Sequence, residues 1–224
     1  MLIRSAVLLL SLLTAGMAAA NDWPDAYSRR DFKLGMTLNE FKKQPYPDSA
    51  KAPKAYSVCS NEKRAQNSGY EDSNLYGGGL EKAGVIKCSY YWDDASTKMV
   101  FTAGLMLADL FSHTEFYFLS TDKGKEPVLF WIVTGGPTGS FDGLVPVMTK
   151  AYGQPEHKTE QVQNGVGNVF TNDVYTWRNS SSSIELKRFG NTLRVFQVDH
   201  VLEPLMAVFN KRLEAIQGEQ AKKL

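Results

Sequence analysis

The sequence predicts an α+β protein, with antiparallel β-sheet packed by short helices and a C-terminal amphipathic helix. Three observations predict it. Runs of β-branched and aromatic residues, bounded by turn formers, recur over residues 85–133 and again over 169–198. Between them, after Ser140, the hydrophobic period becomes helical. A second helical stripe follows the last strand, from Glu203.

The first twenty residues, MLIRSAVLLLSLLTAGMAAA, read as a secretory signal peptide. Arg4 supplies the positive flank, Ala6 to Leu13 the apolar core, and Ala18-Ala19-Ala20 the small-residue cleavage site. The core is too short to span a bilayer. No cysteine stands at the cleavage site, so no lipid anchor is expected. After the leader no run approaches eighteen consecutive apolar residues, so no transmembrane segment is expected in the mature chain. The mature protein is therefore expected to be soluble and periplasmic or secreted.

Residues 21–30 are polar and expected to be a loosely held N-terminus. Thr37 followed by Glu40 is a capping box, Leu38 and Phe41 give an apolar face, and Pro45 stops the chain. This predicts a short helix over 37–43. Residues 44–82, with Pro45, Pro47, Pro53 and Gly77-Gly78-Gly79, read as a long loop tied down by Cys59. Strands are expected over Val85 to Trp92, Met99 to Leu107, Thr114 to Leu119 and Val128 to Val133, with a hairpin tip at Asp122 to Lys125.

Ser140 can cap a helix carrying Phe141, Leu144, Val147, Met148 and Ala151, stopped at Gly153 and Pro155. Residues 156–168 read as a polar loop. Strands resume with Val169-Phe170, Val174 to Arg178, Ser183 to Arg188 and Leu193 to Val198. Leu205, Phe209, Leu213 and Ile216 mark a helix over about 203–217, and residues 218–224 are expected to fray. The order suggests two α+β halves, 31–134 and 135–217. Duplication, or helix-then-meander reached independently, both account for it.

Composition limits the function classes. The chain has 25 basic and 24 acidic side chains, and cleavage would remove only Arg4, leaving 24 of each. Near-neutral charge speaks against a nucleic-acid partner, which needs clustered Lys and Arg. The two cysteines, Cys59 and Cys88, read as one disulfide in an oxidising compartment. A redox pair or metal ligation would need a C-x-x-C or a neighbouring His, and neither is present.

Two segments carry a family resemblance. Leu34-Gly35-Met36-Thr37-x-x-Glu40 resembles the helix start of the BamE/SmpA-like family of bacterial envelope proteins. Tyr152-Gly153-Gln154-Pro155, with Tyr175-x-Trp177 downstream, is similar to a second pattern of that family. The β-lactamase-inhibitor proteins use a related helix-plus-four-strand unit in tandem. The resemblance covers about thirty residues and implies a non-catalytic binder or assembly accessory. This chain lacks the family's lipidated cysteine and is about twice as long, so no functional residue is carried over.

No local catalytic motif stands out. His113, His157 and His200 are isolated and read as surface or loop histidines. Asp93-Asp94 and Ser180 to Ser183 read as turns, and Gly135 to Ser140 lacks the Lys-Ser/Thr ending of a phosphate loop. No cofactor, metal or catalytic residue is assigned. The densest feature is aromatic: Tyr90, Tyr91, Trp92, Phe116, Tyr117, Phe118, Phe130 and Trp131. One face is expected in the core. An exposed face, carried by Tyr90, Tyr91, Trp92, Tyr117 and Trp131, would be a binding surface.

The favoured reading is a non-catalytic exported binding or envelope-accessory protein. Its partner would be an envelope or extracellular protein, held on the aromatic face or the 44–82 loop. The alternatives are an envelope hydrolase with a site assembled from distant residues, and a small-ligand-binding protein. An enzyme would bring together at least two of His113, His157, His200, Asp93 and Asp94.

Overall fold

The computed structural model describes residues 23–48, 50, 54–66, 79–122 and 124–221. The leader, residues 49, 51–53 and 67–78 of the expected loop, Lys123 of the expected hairpin tip and residues 222–224 of the expected frayed end lie outside the described residues.

Thr37 starts the first helix as its spacing predicts. Its hydroxyl accepts from the Glu40 amide at 3.2 Å, and the Glu40 carboxylate accepts from the Thr37 amide at 2.7 Å. This closes two orphan donors reciprocally. The helix, α1 (Leu38–Lys43), buries Leu38 and Phe41. Ahead of it, β1 (Ser28–Arg29) and β2 (Phe32–Lys33) form a small hairpin. Residues 23–30 pack on the fold rather than lying loose: Ala26 and Arg29 are buried, and Tyr27 O accepts from the Leu34 amide at 3.1 Å.

The remaining strands make one ten-stranded sheet. They are β3 (Tyr56–Cys59), β4 (Val85–Asp94), β5 (Met99–Ala103), β6 (Leu105–Leu107), β7 (Leu110–Leu119) and β8 (Val128–Pro137). After helix α2 (Phe141–Tyr152) come β9 (Glu156–Gln163), β10 (Val169–Arg178), β11 (Ser182–Lys187) and β12 (Val195–Leu202), then helix α3 (Glu203–Ala221). The order across the sheet is β3-β4-β7-β8-β12-β11-β10-β9, with β5 on β4 and β6 on β7. Every pairing is antiparallel. Two meanders, each preceded by a helix, therefore meet along their last strands, β8 and β12.

Alternation puts α1 and α2 on one face. Phe41 packs on Phe116 and Phe118 with ring centroids 4.9 and 5.1 Å apart. In the other half Phe141, Leu144 and Met148 bury against Trp177, Ile184, Leu186, Phe196 and Val198. Arg188 ties α2 to the sheet through Asp142 at 2.7 Å and Asp173 at 2.9 Å, with its guanidinium 4.4 Å from the Phe141 ring. On α3, Leu205 and Phe209 are buried, and the Phe209 ring lies 5.5 Å from Phe130.

Four expectations are corrected. Residues 156–168 are not all loop: Glu156–Gln163 is an edge strand, mostly exposed, held by its backbone pairing to β10. The run Met99 to Leu107 is two strands, broken where a Cβ on Gly104 would stand 2.5 Å from Ser112 O. Among its described residues the 44–82 stretch contains β3 and the 3₁₀ turns Lys63–Gln66 and Leu80–Ala83. Ser140 precedes α2 without a side-chain cap bond, because a 3₁₀ turn, Thr138–Ser140, leads into the helix.

Cys59 and Cys88 face each other on β3 and β4, and they are joined by a disulfide. Among the described residues no helix is long and apolar enough to cross a membrane.

Candidate functional site

The face turned away from α1 and α2 is built of three cross-sheet rows. Register aligns Lys87, Tyr117, Trp131, Val201, Ser183 and Arg178 in the first. The second runs Glu115, Val133, Asp199, Glu185 and Thr176; the third runs His113, Gly135, Gln197, Lys187, Val174 and Lys158. Strand alternation brings these residues together although Lys87 and Val201 of one row are 114 positions apart in the chain.

Two carboxylates organise the middle row. Glu115 receives Lys87 Nζ at 2.7 Å, His113 Nε2 at 3.0 Å and the Tyr117 hydroxyl at 2.5 Å. Burial opposes its charge, but the His113 bond, the Lys87 ammonium and the Tyr117 bond hold its carboxyl down to about 2. Burial, followed by the Glu115 charge and bond, pushes the Tyr117 phenol well up. Asp199 accepts from Trp131 Nε1 at 2.9 Å and from Gln197 Nε2 at 2.8 Å. Here burial outweighs the donors, and the Asp199 carboxyl rises above its ordinary value. Tyr117 stacks on Trp131 at 4.5 Å, linking the two carboxylate clusters.

Two hollows flank this centre. The larger, about 670 Å³, is lined by His113, Glu115, Val133, Gly135, Arg194, Val195 and Gln197, among others. The smaller, about 320 Å³, lies between Trp131, Arg178, Glu185, Asp199, Glu203 and Met206.

The five aromatic residues expected to form a binding face are divided by the structure. Tyr90 and Tyr91 are buried, at 2% and 1% exposure, and Tyr90 packs on Phe116 and Phe41. Trp92 is half-buried and stacks on Phe101 at 5.2 Å. Tyr117 and Trp131 project to the row-built side, but Tyr117 is itself buried, at 6% exposure, and Trp131 is half-buried. The polar members of that face, Glu115, Gln197 and Asp199, escaped sequence reading because each sits in a different strand beside apolar neighbours. The one available signal was alternation in Gln197-Val198-Asp199.

The histidines and the aspartate pair do not converge. His113 bonds Glu115, while His157 lies 3.1 Å from Asp173 and stacks on Tyr175. His200 is not at the surface: it is 1% exposed in β12, and neither ring nitrogen has a hydrogen-bond partner among the described residues. Burial, then the nearby Arg29 charge, lowers the His200 imidazole to about 3. Asp93 accepts from Tyr56 at 2.7 Å, whereas Asp94 caps the turn at Ser96. Among the described residues no group of three or more His, Cys, Asp or Glu is placed to hold a metal ion.

Comparison with protein-family models, curated proteins and solved structures finds no match to this chain.

Proposed function

We propose that this chain is an exported, non-catalytic binding protein, an envelope accessory or inhibitor-like module that holds a protein partner on the row-built face. The observation carrying this reading is the pairing of a rigid centre with two flanking hollows. Half-buried Trp131 and Glu115 are held by stacking on, and hydrogen bonds with, the buried Tyr117 and Asp199, so little side-chain entropy is lost when a partner docks. Aromatic groups set among satisfied polar ones are the composition of binding hot spots. Each carboxylate is already occupied by donors, which suits a docking surface better than a general acid or base.

Export is supported by the leader-like first twenty residues and by the Cys59–Cys88 disulfide, which an oxidising compartment preserves. The resemblance to BamE/SmpA-like and β-lactamase-inhibitor proteins fits the same class. So does the sheet topology of two helix-then-meander units joined at β8 and β12.

The test is site-specific photo-cross-linking in the compartment to which the protein is delivered. A cross-linker at Lys187 or Arg178, on the row-built face, should give one discrete protein adduct. The same group at Val147, on the outer side of α2, should give none. Equal adducts from all three positions, or none from the face, would overturn the reading.

A further inference from the structure

The larger hollow carries charges that do not balance. Val133, Gly135, Pro137 and Val195 give it an apolar lining. Glu115 is the one carboxylate among the described residues lining it, and Lys87, His113 and Tyr117 already occupy it. Arg194 also lines the hollow and is exposed, and among the described residues its guanidinium has no hydrogen-bond or ion-pair partner. Asn191 and Thr192 stand beside it with an amide and a hydroxyl.

We propose that this hollow binds a small amphipathic organic anion. Its flat apolar body would lie on Val133, Gly135 and Val195, and its single carboxylate or sulfonate would pair with Arg194. The volume of about 670 Å³ is that of a small-molecule site. A planar guanidinium matches a carboxylate or sulfonate by its paired N–H groups. A cationic ligand finds no free acid, since it would have to take Glu115 from three donors. An inorganic anion would leave the apolar lining unused and would be held by one exposed charge, which is worth little alone. The proposal rests on the reading of this face as the binding surface, and it names the chemistry of one end of it.

The experiment titrates the whole exported protein with anilinonaphthalenesulfonate, followed by fluorescence, and with uncharged phenylnaphthylamine as the control. Saturable binding of the anion is expected. Arg194→Glu should weaken it by about tenfold or more, and Arg194→Lys, which keeps the charge but loses the paired N–H groups, by a smaller factor of about three to five. Phenylnaphthylamine binding should be the same in all three proteins. Amide shifts on adding the anion should centre on Gly135, Val195 and Gln197. Absent binding, binding indifferent to Arg194→Glu, or shifts centred on another surface would overturn the proposal. Arg194 lies on an exposed turn, so these variants should fold; a thermal melt of each verifies it. Cross-linking from Lys187 reads the wider face separately. Lost dye binding with the protein adduct retained removes the anion site and leaves the docking surface standing.

Discussion

Trp131 Nε1 donates to Asp199 Oδ1 at 2.9 Å across the β8–β12 pair, where the two meanders join. The contact belongs to neither half alone. It fixes the indole that stacks on Tyr117 and orients the carboxylate between the two hollows. The same bond is thus part of the seam and part of the proposed docking surface.

Trp131→Phe removes this donor and leaves Asp199 with Gln197. A loss of about 1–3 kcal/mol is expected, set by the desolvated acceptor left behind. The folded-state carboxyl of Asp199 is raised, so its cost appears as pH rises above its unfolded value near 3.8. Urea melts at about pH 4 and pH 7 should therefore show a larger Trp131→Phe penalty at the higher pH. Asp199→Asn should abolish that difference.

His200 should make the fold sensitive to acid. Its folded pKa, about 3, lies below the ordinary 6.5, so its neutral form contributes stability fully above pH 6.5. That contribution is lost as pH falls from 6.5 towards 3, by up to about tenfold in the unfolding constant per pH unit. Protonation would place a second cation beside Arg29 in a region closed by Tyr152. His200→Leu should flatten the stability profile in this window; an unchanged slope would sink the assignment.

Lys87 and Glu115 form the most buried ion pair of the face, with side chains 8% and 15% exposed. Lys87→Met leaves Glu115 without its cation and should cost about 3 kcal/mol in chemical denaturation. Adding Glu115→Gln should recover most of the loss, because the stranded charge goes with it. In the wild type the Glu115 contribution is present above its unfolded pKa, 4.5, and is lost as pH falls towards 2. In Lys87→Met that loss should be smaller.

Reducing the Cys59–Cys88 bond should lower stability by roughly 3 kcal/mol on the chain-entropy account. The effect should concentrate in β3, a four-residue edge strand. Hydrogen exchange at Val58 should rise more than at Ile132 in the sheet centre.

Local signals in the sequence translated directly into local structure. The Thr37–Glu40 box, the strand at Val85 and the stripe of Leu205 and Phe209 each depend on neighbours a few positions away. Where pairing rather than burial holds an element, the pattern is silent. Glu156–Gln163 has no apolar face to reveal it, and only its hydrogen bonds to β10 make it a strand. His200 shows the converse: a polar residue in Asp199-His200-Val201 reads as surface until two helix-bearing halves close over it.

By itself the sequence determined the fold class, the first helix, most strands, the cysteine pairing and a leader-like N-terminus. These follow from periodicity, capping and composition, which act over a few residues. Tertiary structure alone decided that β8 meets β12, that Glu115 and Asp199 are occupied while the Arg194 guanidinium has no partner among the described residues, and that Tyr90 and Tyr91 turn inward. Those outcomes depend on the register between strands distant in the chain, and a side-chain period of two is compatible with many such registers.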